Sequence, residues 1–357
     1  MCEAFLEAGV HLELVVPDRK TDVQSVKDFY GLRTDISLKR LGVLPLYAFG
    51  RFGFFLGSLS FAVRYFFYLG WKHWVRGEKF IIYTTDLDQF SFFLIPFLGM
   101  PYFVEMHDAK KWSWRFAILL RRAQSIVVIN EIIKRELVSV FRIPEKKILV
   151  YPNGFDRNAF QEFESISIAR ERLDLPLDAK IVMYVGRSYG WKGLDTLLRC
   201  AELMPGVAFY FIGATSDELQ KAAHVKCPQN FTCLGGRKFQ DIPHWLWAAD
   251  VLVVSGTKRD DYSYYHTSPM KMFEYAAARR PILASRTPAI EQIFSDKEVF
   301  FHEPDSAIAM RDCVRSIFDP HNAEDVKKRC TAAYQKILLF AWDTRAERII
   351  DFMKNAL

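Results

Sequence analysis

The sequence predicts an α/β protein built from two Rossmann-like domains that face each other across a cleft. Three observations carry this expectation. Short apolar runs rich in β-branched and aromatic residues alternate with longer helical patterns. The alternation runs to about residue 152 and starts again near residue 180. The residues with chemical promise fall just after such runs, where parallel strands end and ligands bind.

In chain order, the first half offers strands at HLELVVP (11–17), KFIIYTT (79–85), PYFVEM (101–106), SIVVIN (125–130) and KILVYP (147–152). Asn130 before EIIKREL reads as the N-cap of a helix. Strands follow in the second half at KIVMYVG (180–186), VAFYFIG (207–213), NFTCLG (230–235), DVLVVSG (250–256), PILAS (281–285) and EVFFH (298–302). FAWDTRAERIIDFM (340–353) reads as a terminal helix. The expected division is residues 1–155, residues 156–339, and a helix over 340–357 packing back on the first domain. A doubly wound domain normally opens on a strand, whereas MCEAFLEAGVHLELVVP opens on a helix, so the first strand is expected to be missing from this chain.

With 357 residues, half of them hydrophobic, the chain can build two cores, which excludes a disordered tail. Six scattered cysteines, Cys2, Cys200, Cys227, Cys233, Cys313 and Cys330, lack metal-ligand spacing and read as reduced thiols of a cytoplasmic protein with no metal site. Residues 1–150 carry 21 basic and 15 acidic side chains against 27 of each in the remainder, so the net charge of +6 belongs to the first half. Lys110, Lys111, Arg115, Arg121 and Arg122 interleave with Trp112, Trp114 and Phe116. That pattern fits an anionic membrane surface and equally a solvated helix face. Residues 41–70 are the most apolar stretch, but Arg51, Arg64 and glycines interrupt it, which favours a buried or interfacial helix over a membrane span.

Three motifs carry chemistry. YVGRSYGWKGLDTLL (184–198) puts Gly186 and Arg187 at a strand end, with Lys192 opening the next helix. Two cations beside free backbone N–H groups suit a diphosphate, although either could be a plain surface charge. The spacing is not that of a phosphate loop, and no GxGxxG follows a strand, which argues against a nicotinamide cofactor. HTSPMKMFEYAAARRP (266–281) sets Lys271 at a helix entrance and Glu274 one turn further, where its carboxylate can accept from two neighbouring hydroxyls such as those of a ribose. The ordinary alternative for Glu274 is a capping or salt-bridged carboxylate. VEMHDAKKW puts His107 just past a strand, at a position equally open to a structural and a catalytic role.

In this order, AFLEAGVHLELVVP, YPNGFDRNAF, GRSYGWKG, SPMKMFEYAAARRPILAS and AWDTRAERI resemble the retaining glycosyltransferases of the GT-B fold, glycosyltransferase family 4, over nearly the whole chain. The resemblance implies a nucleoside-diphosphate sugar, UDP- or GDP-linked, held mainly by the second domain, and a saccharide or lipid-linked acceptor entering from the first. It implies no other cofactor, no metal and no nucleic acid. Arg187 and Lys192 would bind the diphosphate and stabilise its developing charge, and Glu274 would hold the ribose. Gly186, His266, Ser268, Met270 and Lys271 would line the donor, and His107 would lie near the transferred sugar. The implied reaction keeps the anomeric configuration and serves polysaccharide or glycoconjugate synthesis in the cytoplasm or at a membrane surface.

Three departures stand out. The family's Glu–seven residues–Glu pair would begin at His266, so only its second carboxylate is kept in Glu274. Arg279 stands where a glycine is common after the helix, at a cost of ~1 kcal/mol if the backbone there is left-handed. The missing first strand would take a glycine-rich loop with it. A non-catalytic sugar-nucleotide-binding scaffold and a sugar-nucleotide epimerase are the competing readings.

Overall fold

The computed structural model describes residues 1–18, 26–46, 49–85, 91–267 and 270–357. It divides into two compact units, Met1–Tyr151 with Asp343–Leu357, and Pro152–Trp342.

In unit 1 the helix Cys2–Glu7 leads into β1 (Glu13–Asp18), which pairs in parallel with β2 (Ser37–Gly42) as a two-stranded sheet. A separate parallel sheet runs β3 (Ile82–Thr85), β4 (Tyr102–Met106), β5 (Ser125–Val128), β6 (Ile148–Val150) in that spatial order. Apolar side chains point to both faces of this sheet. Tyr102, Val104 and Met106 share one face, and Phe103 and Glu105 the other, all of them buried. The predicted cap is present: Asn130 Oδ1 accepts from Ile133 N at 2.9 Å and starts the helix Glu131–Phe141.

The apolar stretch forms one long helix, Gly50–Gly70, continued by a π-helical turn over Trp71–Val75. Phe61, Ala62 and Tyr65 enter the core, whereas Phe52, Phe67, Trp71, Trp74 and Val75 are exposed. The segment Phe52–Val75 is long and apolar enough, by length and composition, to cross a membrane. The interruptions in the sequence therefore do not shorten the helix, because Arg64 and the glycines are accommodated within it. The terminal helix Trp342–Ala356 turns Arg345, Ala346 and Ile349 inward, a single helical face.

Unit 2 is one six-stranded parallel sheet, ordered β12-β11-β10-β7-β8-β9, with β7 Ile181–Val185, β8 Ala208–Ile212, β9 Phe231–Cys233, β10 Val251–Val254, β11 Ile282–Ser285 and β12 Phe300–His302. Alternate residues feed two cores: Ile181 and Met183 enter one, Val182 and Tyr184 the other. Both faces are covered, so the strands read as continuous apolar runs. Arg279 has φ 55°, the left-handed conformation expected from its place after the helix. Its guanidinium lies 4.0 Å over the Tyr334 ring, a contact that a glycine would not make.

Candidate functional site

Strand β7 fixes the first part of the site in unit 2. Gly186 follows it with φ 144°, and its N–H donates to Ile212 O at 2.8 Å. A Cβ at Gly186 would stand 3.0 Å from Lys271 Nζ, and one at Gly213 would stand 2.6 Å from Gly186 O, so glycine at both positions lets strand ends and ammonium crowd together. Arg187 is exposed at the strand end, with Nη1 3.3 Å from Tyr189 Oη. Lys192 closes a 3₁₀ turn, Gly190–Lys192, and its Nζ donates to Arg187 O at 3.0 Å. Gly193, at φ 65°, then starts the helix Leu194–Glu202.

The helix Met270–Ala277 supplies the second part and is pinned to the same strand, because Val185 N donates to Tyr275 Oη at 2.9 Å. In its first turn Lys271 Nζ lies 3.5 Å over the buried Tyr184 ring. Glu274, one turn on, lines a small recess with Asp156, Phe160, Phe239, Ile242 and Pro243.

The charges influence one another from neighbour to neighbour. Burial, then Arg187, pull the Lys192 ammonium down from 10.5 to about 8. Lys271 is pulled well below its ordinary value by burial and by Lys192, against the opposing effect of Glu274. Burial raises Glu274 from 4.5 to about 7, with Lys271 pulling the other way. A cluster in which burial and neighbouring cations hold two ammonium groups below their ordinary pKa is suited to a polyanion.

The other predicted residues take less uniform places. His266 ends a π-helical turn, Tyr262–His266, and Met270 is exposed at the helix start. Ser268 lies outside the described residues. A larger groove in unit 2, lined by Asp250, Arg279, Pro281 and Tyr334, lies at the amino ends of β10 and β11, and among the described residues none of the predicted ligand-binding ones lines it.

In unit 1, His107 follows β4 and its Nε2 is 2.6 Å from Glu105 Oε1. Glu105 is 2% exposed and also accepts from Arg345 Nη2 at 2.8 Å and from the Tyr83 hydroxyl. Sequence reasoning missed Glu105, Arg345 and Tyr83. Glu105, two residues before His107 and thus on the same strand face, was the one readable signal.

Two parallel α/β units of this kind make up the GT-B fold class. Residues 179–319 match the family model for glycosyl transferases group 1. The chain is 26% identical over 194 residues, 52% of its length and 46% of the relative's, to a putative teichuronic acid biosynthesis glycosyltransferase, TuaC, of Bacillus subtilis. It is 34% identical over 248 residues, 66% of its length and 53% of the relative's, to a D-inositol 3-phosphate glycosyltransferase of Mycolicibacterium paratuberculosis. The chain thus spans about half the length of these curated relatives. The crystal structure of Anabaena HepE in complex with UDP-glucose superposes with a TM-score of 0.70 at 15% identity, covering 97% of this chain and all of that one.

Proposed function

We propose that the protein is a glycosyltransferase that moves a sugar from a nucleoside-diphosphate sugar to an acceptor, in polysaccharide or glycoconjugate synthesis. The observation that carries this reading is the cluster of Arg187, Lys192 and Lys271 beside Glu274, assembled where β7 ends and the helix Met270–Ala277 begins. The family match over 179–319, the relatives that are glycosyltransferases and the likeness to a UDP-glucose complex support it.

In the proposed reaction the acceptor hydroxyl oxygen bonds to the anomeric carbon on the face from which the diphosphate leaves. The bond from that carbon to the diphosphate oxygen breaks, and the hydroxyl proton passes to the departing oxygen, so configuration is kept. Arg187, Lys192 and Lys271 neutralise the charge that grows on the leaving group, the part a metal ion would otherwise play. Glu274 accepts hydrogen bonds from the ribose hydroxyls of a UDP- or GDP-sugar, and His107 serves the transferred sugar. The acceptor is a saccharide or a lipid-linked saccharide. The exposed aromatic face of the helix Gly50–Gly70 and its π turn suits contact with a membrane surface on the cytoplasmic side, next to such an acceptor.

Incubation with UDP- and GDP-sugars, with and without candidate acceptors, tests the proposal. Acceptor-dependent release of nucleoside diphosphate with the product anomer matching the donor supports it. Tight binding without turnover would point to a scaffold, and release of diphosphate without acceptor to another reaction class.

A further inference from the structure

Glu105 is a carboxylate held ionised inside unit 1. Burial pushes its pKa up, but the hydrogen bond from His107 and the charge of Arg345 outweigh that and hold it at about 2. Arg345 is wholly buried and approaches both carboxylate oxygens, at 2.8 and 3.4 Å, from the helix Trp342–Ala356, some 240 residues away in sequence. Tyr83, on the adjacent strand β3, donates to Oε2 from its hydroxyl. An ionised carboxylate can only accept, so the ring nitrogen of His107 that meets it at 2.6 Å must carry the proton. His107 itself is 29% exposed, so the ring reaches the surface of the unit while one of its nitrogens is anchored inside.

We propose that Glu105 is a positioning residue that fixes the orientation and the Nε2–H tautomer of His107, and that Arg345 and Tyr83 lock Glu105 for that task. The inference deepens the glycosyl-transfer reading and rests on it for the role of His107. A packing role alone would need no ionised acceptor two residues before a partly exposed histidine. A carboxylate that orients an imidazole this way sets which nitrogen can accept a hydrogen bond from a sugar hydroxyl.

Two measurements test it. Nitrogen-15 NMR of the intact protein labelled at histidine should show His107 protonated at Nε2, and Glu105→Gln should mix the tautomers. An Nδ1–H tautomer, or a ring protonated at both nitrogens, in the unaltered protein overturns the proposal, whatever its activity. The second is kinetic. Glu105→Gln alone leaves the Arg345 charge without its partner and will unfold part of the population, so the paired variant Glu105→Gln with Arg345→Met, which is neutral and fills the space, carries the comparison. Its folded fraction and donor KM should return to normal while kcat stays down about a hundredfold, the order expected for a misplaced reacting group. Full recovery of kcat in the paired variant assigns Glu105 to folding only. Absence of turnover by the unaltered protein with every donor refutes the glycosyl-transfer reading, and the NMR result still decides the positioning role.

Discussion

Raising the pH from 7.5 to 9 should weaken nucleoside diphosphate binding by an amount that Lys192 sets. Its ammonium sits 5.0 Å over Tyr189 and 5.3 Å over Trp191, and burial with the neighbouring Arg187 leaves its pKa at about 8. In the unliganded protein about three-quarters of Lys192 is then charged at pH 7.5 and about a tenth at pH 9. A bound diphosphate restores the counterion and raises that pKa. Binding therefore takes up protons, and affinity is full only well below 8 and falls as pH rises through that value. The ratio of charged fractions gives a loss of about eightfold, or about 1.2 kcal/mol. Lys271, also pulled down by burial and by Lys192, adds uptake of the same sign. The window lies above the value of about 7 for Glu274, so that carboxylate is already mostly ionised. Calorimetric titration with UDP and GDP, in two buffers of different ionisation enthalpy, reads both the affinity and the protons. Lys192→Met should bind more weakly and with a flatter pH profile. Equal affinity at both pH values with no buffer dependence of the heat would refute the proposed electrostatics.

Glu274→Gln should weaken a nucleoside diphosphate about tenfold yet leave inorganic pyrophosphate almost unaffected, because the lost charge-assisted bonds go to the ribose; competition binding separates the two. Glu105→Gln should destabilise unit 1 by about 3–5 kcal/mol by stranding the Arg345 charge, a loss visible in urea unfolding. The Glu105 carboxyl lies below its ordinary 4.5, so its contribution is complete above pH 4.5 and is lost as pH falls towards 2. His302, 3% exposed beside Ser285, is held down from 6.5 to about 4 by burial, so the unfolded chain binds its proton first. Unit 2 should lose about 3 kcal/mol as pH falls from 6.5 to 4, and His302→Gln should flatten that part of the acid-unfolding curve. Arg279→Gly should change stability by less than about 0.5 kcal/mol, since relief of the left-handed backbone offsets the lost stacking on Tyr334, whereas Arg279→Ala should cost about 1 kcal/mol in thermal unfolding.

Most of the fold was legible because buried parallel strands must be continuous apolar runs, and all eleven runs in the sequence became strands. The strand that was not foreseen, Ser37–Gly42, reads SLKRLG and buries none of its residues, so it carries little of that signal. The π-helical turns Trp71–Val75 and Tyr262–His266 have no distinguishing pattern either. The cations of the site were legible from their places after strands and at helix starts. The Tyr275–Val185 bond that sets Lys271 beside Gly186 was not, because it joins residues 90 apart through a side chain that otherwise reads as core. The same holds for Arg345, whose charge in a terminal helix gave no hint of burial against Glu105.

The most direct measurement is hydrogen exchange of the whole protein with and without saturating UDP, GDP or their sugars. Slower exchange over residues 186–194 and 270–275, lost in Lys192→Met, is the expected result. Binding that protects other segments and leaves these two unchanged, or no binding of any nucleoside diphosphate, would contradict the assignment of the cation cluster as the donor site.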